Sequence, residues 1–100
     1  SAVSGECEAD LELGLEVNVN AGMALGRRLA QENNKPLLVF SSSLAVYGGT
    51  PEFPLPSVIT DDLRPNPQNS YGAQKLILET LYADLARRGL ISIRYMAILI

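Results

Sequence analysis

One hundred residues with 47% hydrophobic content and a formal net charge of −3 suffice for one small domain or a piece of a larger one. The eight Lys and Arg residues are scattered rather than clustered, which argues against a nucleic-acid surface; the single cysteine excludes an internal disulfide, and with no histidine a zinc site is not expected. No apolar run is long enough to span a bilayer and no segment reads as a signal peptide, so a cytoplasmic protein of a reducing compartment is expected.

The first element is read as one long helix from about Glu8 to Gln31. Leu11, Leu15, Val19, Met23 and Ala30 form a helical stripe, with Leu25 and Leu29 beside it. Gly14 and Gly22 weaken that reading, since glycine costs about 1 kcal/mol against alanine inside a helix. The acidic residues Glu6, Glu8, Asp10 and Glu12 are read as a solvated helix start that suits the macrodipole. Asn33 and Asn34 close the helix, and Pro36 permits only an extended start. Leu37 to Phe40 is a short continuous apolar run, the pattern of a strand buried on both faces of a parallel sheet. It leads into Ser41, Ser42 and Ser43.

Between Gly48 and Pro67 lie five prolines, which predict a long irregular excursion of the kind that often carries function. A second helix is expected from near Ser70, capped by Asn69 or Ser70, to Arg87 and Arg88, with Gly89 behind them. Leu90 to Ile100 reads as a second strand, with Arg94 inside it. Helix, buried strand, loop, helix, buried strand is the rhythm of an α/β parallel sheet with right-handed crossovers. Ligands of such sheets sit outside the carboxyl ends of the strands, where Ser43 and the start of the second helix converge. The chain opens without methionine and closes inside an apolar run, so an excised segment of a longer protein is expected.

Within that second helix, Tyr71 and Lys75 are four residues apart and project to the same side. An ammonium beside a phenol favours the phenolate, so the spacing predicts a tyrosine whose pKa is lowered and which can take and return a proton. By itself the spacing is a weak signal and more often means a half-buried tyrosine beside a solvated lysine. Asn18 could simply bond a neighbouring backbone group, and Arg94 is expected to pair with a carboxylate.

Two stretches resemble the extended short-chain dehydrogenase/reductases, the NAD-dependent epimerases and dehydratases. One is Val39 to Gly48, an apolar strand that ends in serines and a Val-Tyr-Gly turn. The other is Pro67 to Lys75, a proline-containing lead-in to Tyr-x-x-x-Lys. Ser4-Gly5-Glu6, Glu8-Ala9-Asp10 and the Tyr-Gly-Ala-Gln-Lys helix look most like the D-erythronate dehydrogenase branch. The resemblance covers essentially the whole chain. It implies part, the second half, of a Rossmann-like parallel sheet flanked by helices. It makes residues 1–100 a partial NAD(P)-binding domain, without the Gly-rich phosphate turn and without the downstream substrate region.

By the same resemblance Ser43 is the catalytic serine, Tyr71 the acid/base and Lys75 its partner and holder of the nicotinamide ribose. Ser1 and Ala2 match the loop that lies against the cofactor, Asn18 the asparagine of an Asn-x-x-Gly-Thr segment, and Met96 a position beside the nicotinamide. The implied cofactor is NAD or NADP, and the implied reaction is oxidation of a secondary alcohol of a small hydroxy acid such as D-erythronate. A nucleotide-sugar epimerase or dehydratase begins with the same step and is the alternative. An inactive piece that self-associates is a third reading. The family's habit of dimerising through its two long helices implies a homodimer through residues 8–31 and 70–88. Taken alone, these 100 residues are expected to lack turnover.

Overall fold

Asp10 decides the shape of the first helical region. Its extended backbone (φ −140°, ψ 94°) ends a short helix, α1 (Ser4–Ala9), and its carboxylate starts the next, α2 (Leu11–Gly14), by accepting from the Leu13 N–H at 3.0 Å. The single helix expected from Glu8 to Gln31 is therefore interrupted. A π-helical stretch, Leu15–Asn20, follows α2 and leads into α3 (Ala21–Ala30). The computed structural model describes residues 4–58, 60 and 62–98.

After α3 the chain turns through Lys35, at φ +51°, into strand β1 (Leu37–Ser43). A short 3-10 turn, Leu44–Tyr47, leads into the proline-rich loop. Helix α4 (Ser70–Arg87) and strand β2 (Ser92–Ile98) complete the order. β1 and β2 pair in parallel, in register from Leu37 opposite Ser92 to Ser43 opposite Ile98. The α/β class and the parallel sheet agree with the sequence pattern. Among the described residues no helix is long and apolar enough to cross a membrane.

The boundaries of α4 follow from its end residues. Asn69 is extended and its side chain accepts from the Gly72 N–H at 2.8 Å, the usual N-cap bond. The Glu8 carboxylate accepts from the Ser70 N–H. The acidic stretch is thus not merely a solvated helix start: Asp10 caps its own helix, and Glu8 helps to cap α4. At the other end Gly89, at φ +79°, takes the left-handed conformation that closes the helix behind Arg88. Asn69→Ala is expected to cost about 1 kcal/mol of stability, read as a lower midpoint in chemical denaturation.

The expected apolar stripe is buried only in part: Val19 is buried, and Leu15 and Ala30 are half-buried. Leu11, Met23 and Leu25 are exposed, whereas Gly14, Asn18 and Gly26 are buried, with half-buried Gly22 between them at the same spacing of four. A Cβ on Gly22 would lie 2.6 Å from both methyl carbons of Leu78, and one on Gly26 would lie 2.9 Å from the Tyr82 ring. The glycines that weaken the helix are the residues that let the two helices approach closely. Tyr82 uses that closeness to donate its hydroxyl to the Gly22 carbonyl at 2.7 Å.

The core lies between α4 and one face of the sheet, where Leu78, Tyr82 and Ile91 pack with Leu38, Phe40, Ile93 and Leu85. Phe40 meets Tyr82 edge-on at 5.1 Å. The opposite face carries Leu37, 60% exposed, and Val39, 55% exposed. The expectation of a strand buried on both faces is therefore corrected: α4 covers one face only, and alternate side chains of β1 point away from it. Arg94 donates to the carbonyl of Ile93 and forms no ion pair among the described residues, unlike the expected carboxylate partnership.

Candidate active site

The end of β1 is polar because it has to hand the chain into a tight turn. Ser43 is extended, and its Oγ accepts from the Ala45 N–H at 3.1 Å, so the hydroxyl caps the 3-10 turn and is held at the strand end. The proline-rich loop leaves after Tyr47 and returns so that the Asn66 N–H donates to the Val46 carbonyl at 2.8 Å. That bond delivers the start of α4 back to the same strand end, and the convergence read from the sequence is realised.

The first turn of α4 then packs against the 3-10 turn. Gly72 sits against the carbonyl of Ala45, with no room for a side chain. Tyr71, 7% exposed, packs on Cys7 of α1 and on Ala45. Lys75, also 7% exposed, reaches back along the sheet and donates from Nζ to the Ser41 carbonyl at 3.0 Å. Its ammonium lies 5.1 Å from the centre of the Phe40 ring and 5.6 Å from that of Tyr71. Ser43, Tyr71 and Lys75 are thus assembled from one strand end and two successive turns of one helix.

The electrostatics differ from the simple pairing read from the sequence. Burial pushes the Tyr71 phenol above its ordinary value, and Cys7 adds to the rise. Burial also pushes the Lys75 ammonium down, with Cys7 opposing it. The expectation that Lys75 lowers the tyrosine is overturned for the chain by itself. Removing water from both groups raises the phenol and lowers the ammonium, and the ammonium donates to the Ser41 carbonyl.

Asn18 is 3% exposed and central to the π-helical stretch. Its Nδ2 donates to Gln74 Oε1 at 2.9 Å and to Cys7 Sγ at 3.2 Å. Asn18 and Lys75 line one cleft of about 270 Å³, closed by Val17, Gly22, Leu38 and Phe40. Met96 is not brought to this cleft. It pairs in register with Ser41, on the sheet face turned away from α4, and is exposed. Ser1 and Ala2 lie outside the described residues.

Three participants were not singled out from the sequence. Cys7, marked in the sequence only as a lone cysteine, touches Tyr71 and accepts from Asn18. Gln74 has no sequence signal beyond standing before Lys75. Glu79, one turn after Lys75, is half-buried, and burial raises its carboxyl above the ordinary range. The one available hint was the helical spacing of residues 71, 75 and 79 on one side of α4.

Against known proteins, residues 2–98 match the model of the NAD dependent epimerase/dehydratase family. The D-erythronate dehydrogenase of Cupriavidus necator is 46% identical over 91 residues, which cover 91% of this chain and 27% of that protein. The solved structure of the nucleoside-diphosphate-sugar epimerase from Agrobacterium tumefaciens superposes with a TM-score of 0.81 at 36% identity, over 100% of this chain and 29% of that one. The UDP-glucose 4-epimerase from Brucella ovis, solved in complex with NAD, gives a TM-score of 0.78 at 33% identity, over 97% and 28%. This chain therefore spans between a quarter and a third of the length of the relatives it matches. Its parallel strands and flanking helices have the Rossmann-type arrangement of these proteins, and the chain belongs to the NAD dependent epimerase/dehydratase family.

Proposed function

We propose that this chain carries the proton-transfer residues of an NAD(P)-dependent dehydrogenase of the extended short-chain type, which oxidises a secondary alcohol of a small hydroxy acid such as D-erythronate. One observation carries the reading: the buried Lys75 ammonium is anchored on the Ser41 carbonyl, one helical turn from Tyr71 and at the strand end that holds Ser43. The likeness to D-erythronate dehydrogenase supports the substrate class.

In this reading residues 1–100 are the second half of a Rossmann-type domain in a cytoplasmic enzyme. The residues fit only the nicotinamide end of the cofactor. Lys75 and Asn18 share a cleft there, while no Gly-x-x-Gly-x-x-Gly turn occurs in the sequence. Bound NAD or NADP supplies the hydride acceptor. Ser43 orients the reacting oxygen by hydrogen bonding, and Tyr71 takes its proton through the phenol oxygen. Lys75 would hold the ribose hydroxyls of the cofactor, whose positive nicotinamide ring would supply a cation that opposes the rise burial imposes on the Tyr71 phenol. The complete polypeptide that carries this segment is expected to produce NADH from D-erythronate.

A second reading, a nucleotide-sugar epimerase, is favoured by the superposition on the Agrobacterium tumefaciens epimerase. It predicts interconversion of a nucleotide sugar without net NADH, so one assay separates the two. We also place a homodimer on the two long helical regions, whose exposed Leu13 and Ile77 lie outside the cleft and suit a helix-on-helix contact. Sedimentation of the complete polypeptide is expected to give a dimer that Ile77→Lys shifts toward monomer.

A further inference from the structure

Gln74 is 2% exposed, stands directly before Lys75 and faces the π-helical stretch. Its Oε1 accepts from Asn18 Nδ2 at 2.9 Å, whereas its Nε2 has no partner and is buried. Leaving a buried amide donor unpaired is unfavourable, so the amide is held there for its acceptor. The rest of the surroundings are built around that one bond. Gly14 leaves the space the amide occupies: a Cβ there would lie 2.7 Å from Nε2, 3.0 Å from Oε1 and 3.2 Å from Cys7 Sγ. The second hydrogen of the Asn18 amide goes to Cys7 Sγ at 3.2 Å, so both hydrogens of Asn18 Nδ2 are engaged inside the protein. Asn18 lies within the π-helical stretch, a widened turn of the kind frequent at functional sites. The same stretch forms one wall of the cleft that Lys75 lines from α4.

We propose that Gln74 is a positioning residue, which ties the π-helical turn to α4 through Asn18 and so sets the width of the cleft in which Lys75 meets the nicotinamide ribose. The inference rests on the role given to Lys75 above. Asn18 then serves as an anchor, its amide hydrogens engaged by Gln74 and Cys7. Gly14 becomes a position that governs cofactor seating, because a side chain there meets the Gln74 amide. The lock acts on cofactor seating rather than on the proton transfer of Tyr71. Its signature is therefore a rise in KM for the cofactor with kcat nearly preserved.

The test uses the complete polypeptide and NADH as the probe, with Kd read by fluorescence and turnover read separately. Gln74→Met, which removes the acceptor at similar volume, and Gly14→Ala, which crowds the amide, are each expected to raise the NADH Kd about tenfold, the size of one lost hydrogen bond, with kcat within about threefold of the parent. Gln74→Glu, which keeps an acceptor at the same reach, is expected to stay within about threefold of the parent Kd. Parent-like NADH Kd values in both Gln74→Met and Gly14→Ala overturn the inference. Loss of folding in both also overturns it, by assigning Gln74 to stability alone. Failure of the functional reading is distinguishable: Tyr71→Phe would then leave turnover intact, whatever the Gln74 variants do to NADH binding.

Discussion

Tyr71→Phe is expected to lower turnover by about 10²- to 10⁴-fold, the range set by loss of one positioned acid/base. The change removes a single oxygen. The ring still packs on Cys7 and Ala45, so the fold should survive, and a denaturation midpoint close to that of the parent would show that it has. NADH production from D-erythronate by the complete polypeptide supplies the activity readout. The electrostatics sharpen the expectation. Burial and then Cys7 hold the phenol above its ordinary value, so the deprotonated form is scarce at neutral pH unless a cation is brought close. Activity should therefore rise with pH in the parent, and that rise should vanish in whatever activity Tyr71→Phe retains. A variant with parent-like turnover would remove Tyr71 from the chemistry and with it the dehydrogenase reading.

Gly72→Ala should destabilise the protein by about 2 kcal/mol, within the usual cost of overpacking. Helix propensity alone predicts the opposite sign, since alanine is favoured over glycine by about 1 kcal/mol inside a helix. Geometry decides against propensity here. The new Cβ would fall on the carbonyl oxygen of Ala45, 2.8 Å from the carbonyl carbon and 3.3 Å from the Ala45 Cβ. That neighbour is backbone, pinned by the cap that Ser43 supplies, so it cannot rotate away as a flexible side chain would. Relief has to come from moving α4 off the turn, which carries Tyr71 away from Ser43, so activity should fall with stability. Gly5→Ala is the matched control. It lies in α1 with nothing within 4 Å of the added carbon, and should be neutral or slightly stabilising. If Gly72→Ala and Gly5→Ala show the same midpoint in chemical denaturation, the close approach of α4 to the turn is not a constraint.

The sequence by itself determined the element order and the ends of α4, and it marked Tyr71 and Lys75 as a pair, while Ser43 was marked by the family resemblance. These depend on local chemistry: an asparagine that caps, two arginines and a glycine that close a helix, and a tyrosine and lysine one turn apart. It also determined that β1 is a strand, because Pro36 and a run of large apolar residues leave little else. Tertiary structure decided what periodicity cannot express. The first helical region meets α4 along Gly14, Asn18, Gly22 and Gly26, three glycines and an asparagine, because close helix packing favours absent side chains, and an absence carries no hydrophobic signal. The break at Asp10 depends on a carboxylate choosing to cap rather than to face solvent, and Glu8 finds its role 62 residues away at Ser70. Phe40 faces the core while Val39 faces away, because only one side of the sheet meets α4. The sign of the Tyr71 shift was likewise a tertiary result. Spacing announces the neighbouring lysine, but burial, which raises the phenol and lowers the ammonium together, is set by how α1, the 3-10 turn and β1 close around them.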